Sequence, residues 1–73
     1  MKYIKVKFLR NGRPSGRAYT YAAPEYVGDG NEVVLPGGAI GVVVSADVSE
    51  EDVKSIKSEI KKIERVVGEN LKN

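Results

Sequence analysis

The stretch that decides the fold is VGDGNEVVLPGGAIGVVV, residues 27–44. It sets glycines at 28, 30, 37, 38 and 41 and a proline at 36 among valines, a leucine and an isoleucine. Such a run can cradle a phosphate, wrap a metal or turn the corners of a small sheet. The order of the glycines argues against a phosphate. There is no G-x-x-x-x-G-K-[ST], and no G-x-G-x-x-G leads from a strand into a helix, because a further strand follows Gly41. Asp29, Asn31 and Glu32 carry too few oxygens for the roughly six to eight that calcium takes. The glycines therefore turn the chain. Glu32 to Leu35 reads as a short strand stopped at Pro36, which has no N–H for a ladder. Leu35-Pro36-Gly37-Gly38 suits a type II turn, with Pro second and Gly third. Residues 39–48, AIGVVVSADV, form a further strand. Its aliphatic run implies burial on both faces or a central place in a barrel, and Gly41 marks a bend or bulge.

Toward the N-terminus, KYIKVKFLR (2–10) alternates with the period of a half-buried strand. Ile4, Val6 and Phe8 share one face, and Lys5 and Lys7 share the other. NGRPSG (11–16) supplies residues tolerant of positive φ, and RAYTYA (17–22) alternates again. The two strands read as an antiparallel hairpin with a connection of about six residues, longer than the favoured two-residue type. The alternation places Tyr19 and Tyr21 beside Ile4, Val6 and Phe8, and Thr20 beside the lysines.

Toward the C-terminus, Ser49 is a good helix N-cap, and Glu50, Glu51 and Asp52 suit the positive end of a helix dipole. Val53, Ile56, Ile60, Ile63 and Val67 recur at spacings of three and four, which predicts a helix over 49–67 with a narrow apolar seam. That seam either packs on the sheet, with Ile60 deep in the contact, or pairs with its mate in a homodimer. Residues 69–73 read as a frayed tail.

At 73 residues the chain makes one domain, 1–73, and buries only a modest core. Cysteine, histidine and tryptophan are absent, which removes disulfides, thiolate and imidazole metal sites, and the usual nucleophile–base dyads. The acids fall in loop and cap positions rather than in a pair for acid–base work. A non-enzymatic protein without cofactor or metal is expected. The start, MKYIKVKFLRNG, resembles neither a signal peptide nor a membrane span, and the lack of cysteine fits a cytoplasmic location.

Net charge is only +2, but it is segregated. Lys2, Lys5, Lys7, Arg10, Arg13 and Arg17 occupy residues 1–22 without an acid, whereas Glu25, Asp29, Glu32, Asp47, Glu50, Glu51 and Asp52 occupy 23–52 without a base. Lysines alternating along an exposed strand commonly serve as a guard against edge-to-edge aggregation. They equally make a phosphate-tracking surface, here Lys5, Lys7, Arg10, Arg13 and Arg17, beside tyrosines on which bases can stack. Tyr3 and Tyr26 are the freer rings in this reading.

Taken together, residues 18–48 resemble the N-terminal DNA-binding domain of the primosomal replication-restart helicase PriA. The matching positions are Tyr19, Tyr21, Pro24, Gly30, Val33, Leu35, Pro36, Gly38 and Ile40-Gly41-Val42-Val43-Val44. The pattern is also similar to short uncharacterised proteins of Gram-positive phages. The resemblance implies a small-barrel architecture and nucleic-acid contact, and carries the helicase domain's pocket for a 3′ strand end onto Tyr19, Thr20 and Gly38. Thr20 stands where that family has an acid, and Gly37 where it has an aromatic, so strand contact is implied more strongly than 3′-end recognition. No helicase motor is present.

The expected fold is α+β: a small twisted β-barrel of four to five short antiparallel strands over 2–45, with one C-terminal α-helix. The expected function is that of a non-catalytic nucleic-acid-binding accessory protein, with single-stranded nucleic acid as partner. A protein-interaction module docking on a host or virion protein is the alternative. No membrane partner is expected, and the chain is either a monomer or a homodimer through the helix.

Overall fold

The alternation of KYIKVKFLR makes the first strand, β1 (Lys2–Arg10), the spine of the molecule, paired on both sides. In this computed structural model residues 1–68 are described. The remaining strands are β2 (Arg13–Ala23), β3 (Glu32–Val34), β4 (Ile40–Val48) and β5 (Arg65–Val66). Every pairing is antiparallel, and the single sheet has the order β2-β1-β4-β3-β5. Ile4, Val6, Val33, Leu35 and Val43 supply its buried face, joined by Ala23, Val27, Ala46 and Ile63.

The β1–β2 connection is tighter than the sequence implied. Arg10 pairs with Arg13, so the turn is only Asn11-Gly12, with φ of 53° and 77°. Both central residues at positive φ define the type I′ turn, whose twist matches that of the flanking strands. Pro14 is tolerated within β2 because the strand lies at the sheet edge. Between Val6↔Tyr19 and Phe8↔Ser15 the register slips, and β2 spends extra residues around Gly16, at φ 76°. This bulge bends the arm.

The β3–β4 turn forms as the sequence predicts. The Gly38 N–H donates to the Leu35 carbonyl at 2.9 Å, with Gly37 at φ 91°, the geometry of a type II turn. Gly41 has a packing role. A Cβ there would collide with Val6 Cγ1 and lie 3.0 Å from the Lys7 carbonyl oxygen. The bulges of β4 lie further along, where Lys5↔Ser45 gives way to Val6↔Val43. The inward phase consequently skips from Val43 to Ala46, and Val44 is exposed.

Two expectations change. The sheet is not closed into a barrel, since β2 and β5 remain its edges. The segment leading into β5 meets β2 at the bridge between Ala22 and Lys62, where the Ala22 N–H donates to the Lys61 carbonyl and the Ile63 N–H to the Ala22 carbonyl. The helix over 49–67 is also replaced. Its start is as predicted, with the Ser49 hydroxyl accepting from the Glu51 N–H at 3.0 Å. The helix α1 then spans only Glu50–Val53, followed by a 3-10 turn at Lys57–Glu59 and by β5. The predicted tail, 69–73, lies outside the described residues.

The reason is competition for β3. With only β4 beside it, β3 would bury Val33 and Val34 while leaving backbone groups unpaired along its other edge. Residues 64–67 satisfy them: the Glu64 N–H donates to the Val34 carbonyl and the Val67 N–H to the Glu32 carbonyl, both at 2.7 Å. The β-branched Val53, Ile56, Ile60, Ile63, Val66 and Val67 lose little by leaving a helix. The apolar seam is thereby split. Val53 and Ile63 are buried, Ile60 is half-buried and Ile56 is 40% exposed, so no continuous helix offers itself to a second copy.

Ile63→Ala should therefore lower the unfolding free energy by about 2–5 kcal/mol in urea denaturation, and Ile56→Ala by less than about 1 kcal/mol. The reverse order would restore the helical seam. Gly41→Ala should cost about 1–3 kcal/mol through overpacking against Val6, and an unchanged denaturation midpoint would contradict the close approach.

Candidate nucleic-acid interface

The period of β1 sorts the cations of the first hairpin into two sets. Lys5 lies opposite Thr20 on β2 and Ser45 on β4, and Lys7 lies opposite Val42. Directly opposed residues share a face, so both lysines project from the outer face, away from buried Ile4 and Val6. Phe8 and Arg10 have the phase of Ile4 and Val6, and their partners Ser15 and Arg13 lie on that same inner face. The single basic platform expected from sequence is thus a basic arm with two faces. Lysines occupy one, and arginines gather on the other near the turn.

None of Lys5, Lys7, Arg10, Arg13 and Arg17 has a carboxylate within salt-bridge distance among the described residues. An ion pair near this end of the chain joins the Met1 amine to Glu25 at 3.4 Å, both exposed. Arg10 and Arg13 face each other across the turn. Like charges directly opposite destabilise a hairpin, and no neighbouring acid relieves this pair.

The inner face of the arm also carries aromatic surface. Val6 is the last fully buried residue of β1, yet the strand continues to Arg10. Phe8 is flanked by Gly41 on β4 and Ser15 on β2, and neither is large enough to cover the ring. It is 39% exposed and contacts Tyr19, itself 44% exposed, with ring centroids 5.5 Å apart and planes at 41°. An open groove of about 290 Å³ lies alongside this ring pair and is lined by Phe8, Leu9, Arg10, Ser15, Gly16, Arg17 and Tyr19. It shares Arg10 and Ser15 with a groove at the turn that Arg13 also lines. On its other side it shares Tyr19 with a groove lined by Thr20, Tyr21, Ile56, Glu59, Ile60 and Lys61, so that an acid enters the lining there.

The tyrosines separate accordingly. Tyr21 packs against the core, and burial, with Tyr19 nearby as a second cause, raises its hydroxyl pKa above the ordinary value. Tyr19 lies at the surface rather than in the core where alternation put it. Tyr3 is half-buried and Tyr26 exposed, and neither lines the arginine groove. Thr20 adjoins Tyr19 on β2, but Gly38 sits in the β3–β4 turn, with β1 and β4 intervening in the sheet order. No groove described here contains both Tyr19 and Gly38.

Phe8 is the residue that sequence reasoning missed, because periodicity reports a face and not where the core ends. The nearest signal was Asn11-Gly12. Read as a two-residue turn, it places Phe8 close to the hairpin tip.

The polar loop residues have structural tasks. The Ala46 N–H, set free by the β4 bulge, donates to Asp29 Oδ1 at 2.6 Å, and the Gly28 N–H donates to Asn31 Oδ1 at 2.8 Å. Among the described residues no cluster of three metal-ligating side chains exists, and no helix is long and apolar enough to cross a membrane.

No family model, curated protein or solved structure matches the chain.

Asp29→Ala should cost about 1–2 kcal/mol by leaving the Ala46 N–H without its acceptor, and Asp29→Asn should recover part of that loss. Equal melting temperatures for the alanine variant and the parent chain would remove Asp29 from this role.

Proposed function

We propose that this chain is a non-catalytic nucleic-acid-binding accessory protein that grips single strands through the β1–β2 arm. The observation that carries this reading is the set of five cations on one hairpin without acidic partners. Arg10, Arg13 and Arg17 border joined grooves on the inner face, and Lys5 and Lys7 stand on the outer face. Unneutralised charge of this kind suits phosphate, whose contacts supply most of the affinity for a strand. The curled sheet, drawn together at Ala22 and Lys62, serves in this reading as a small-barrel scaffold of the kind the PriA resemblance implies. Strand contact at the arm is favoured over 3′-end recognition by Tyr19, Thr20 and Gly38, because Gly38 lines neither of the grooves described above that Tyr19 lines. A location with the nucleic acids of the cytoplasm follows from the same proposal.

A second reading rests on the edge of β2. Between the Gly16 bulge and Ala22, whose backbone bonds Lys61 and Ile63, no strand lies beside it among the described residues, and extended peptides dock on exposed sheet edges. A protein-interaction module would use that edge.

Salt dependence separates the two. Binding of a labelled oligothymidylate, followed by fluorescence anisotropy, should weaken with added salt at a log–log slope between about −2, for the three inner-face arginines, and about −3.5, for a strand that wraps the arm to reach Lys5 and Lys7 as well. Arg13→Gln should make the slope shallower by roughly 0.7. A flat slope, or no binding near 50 mM salt, would leave the peptide-docking reading in its place.

A further inference from the structure

We infer that the groove alongside the Phe8–Tyr19 ring pair is a stacking subsite for one unpaired nucleobase, with Arg10 and Arg17 holding the adjoining phosphates. The inference rests on the proposed strand binding and adds to it a mode of recognition, contact with the base as well as the backbone.

Three features converge. First, two aromatic rings stand side by side with more than a third of each exposed, at the end of the core. Burial elsewhere in the sheet accounts for Tyr21 but not for these two. Second, the groove they line is bordered by two arginines from different strands, and Gly16 of the bulge lines it without a side chain. A planar apolar ring fits against Tyr19 while its phosphate meets guanidinium groups, a pairing of π-face and cation that an aliphatic peptide side chain does not use. Third, the groove lies in line with its two neighbours. Arg10 and Ser15 connect it to the turn, and Tyr19 connects it to the surface of Tyr21 and Ile60. A flexible polyanion can follow the two arginine-lined grooves as far as Tyr19, beyond which Glu59 enters the lining, whereas a duplex keeps its bases stacked inside and has none to offer the rings. The occupant is therefore single-stranded. Stacking is tolerant of base identity, so little sequence preference is expected.

The test compares an oligothymidylate with an abasic strand of equal length and charge, both labelled, by anisotropy near 50 mM salt. The base-bearing strand should bind roughly 5- to 100-fold more tightly. Tyr19→Leu should reduce it to the abasic level and leave abasic binding unchanged, while Tyr19→Phe should retain most of the difference. Equal affinity of the unaltered chain for the two strands would overturn the subsite and leave the charge-based reading intact. That comparison needs no variant, so it stands even if Tyr19→Leu fails to fold. Loss of affinity by the same factor for both strands in Tyr19→Leu would likewise assign Tyr19 to arm structure rather than stacking. Binding to neither strand would overturn both proposals, and capture of an acidic peptide under those conditions would favour the β2 edge.

Discussion

The molecule depends on β1 being paired along both edges. A strand with neighbours on either side has its side chains committed to two faces with no freedom to rotate. Ile4 and Val6 then lie at the centre of the apolar cluster, between Tyr21 and Tyr19 on one side and Val43 on the other. The same pairing forces Lys5 and Lys7 to the opposite face together. Because the period continues past the last core residue, it also delivers Phe8 and Arg10 to the inner face beyond the cover of the core, where Phe8 meets the ring of Tyr19. The arm's chemistry is thus a consequence of a strand that outlasts its core.

Closure of the other side has a different origin. Gly41 lets β4 approach Val6 and Leu35 closely, and the β4 bulges carry the strand around so that Ala46 returns to the core. Each bulge releases a backbone group, and at Ala46 the Asp29 carboxylate receives it. The acidic loop is consequently part of the scaffold. Its acids line neither of the two grooves that hold the arginines.

Small sheets face a particular difficulty with edges, since each unpaired strand exposes a row of donors and acceptors. This chain covers the edge of β3 with residues 64–67 and leaves the edge of β2 protected by Pro14, the Gly16 bulge and arginines. The arrangement serves two ends. It blunts aggregation at β2, and it holds the cations of the arm where a polyanion can reach them.

The sequence by itself determined every element whose signal is local: the phase of β1, the Leu35-Pro36-Gly37-Gly38 turn, the strand after it, the Ser49 cap, and the separation of bases from acids. Its Asn11-Gly12 pair already specified the two-residue turn, though the longer run of turn-forming residues obscured it. Tertiary structure decided the rest. Residues 60–67 carry a helical spacing, but helical spacing is only a statement about which side chains would align. The open hydrogen-bonding edge of β3 and the apolar space over Val33 reward an extended chain instead, and that reward is invisible until β3 has been placed. Exposure of Phe8 and Tyr19 was likewise undetermined, because alternation assigns a face and only packing decides how far along a strand that face remains covered.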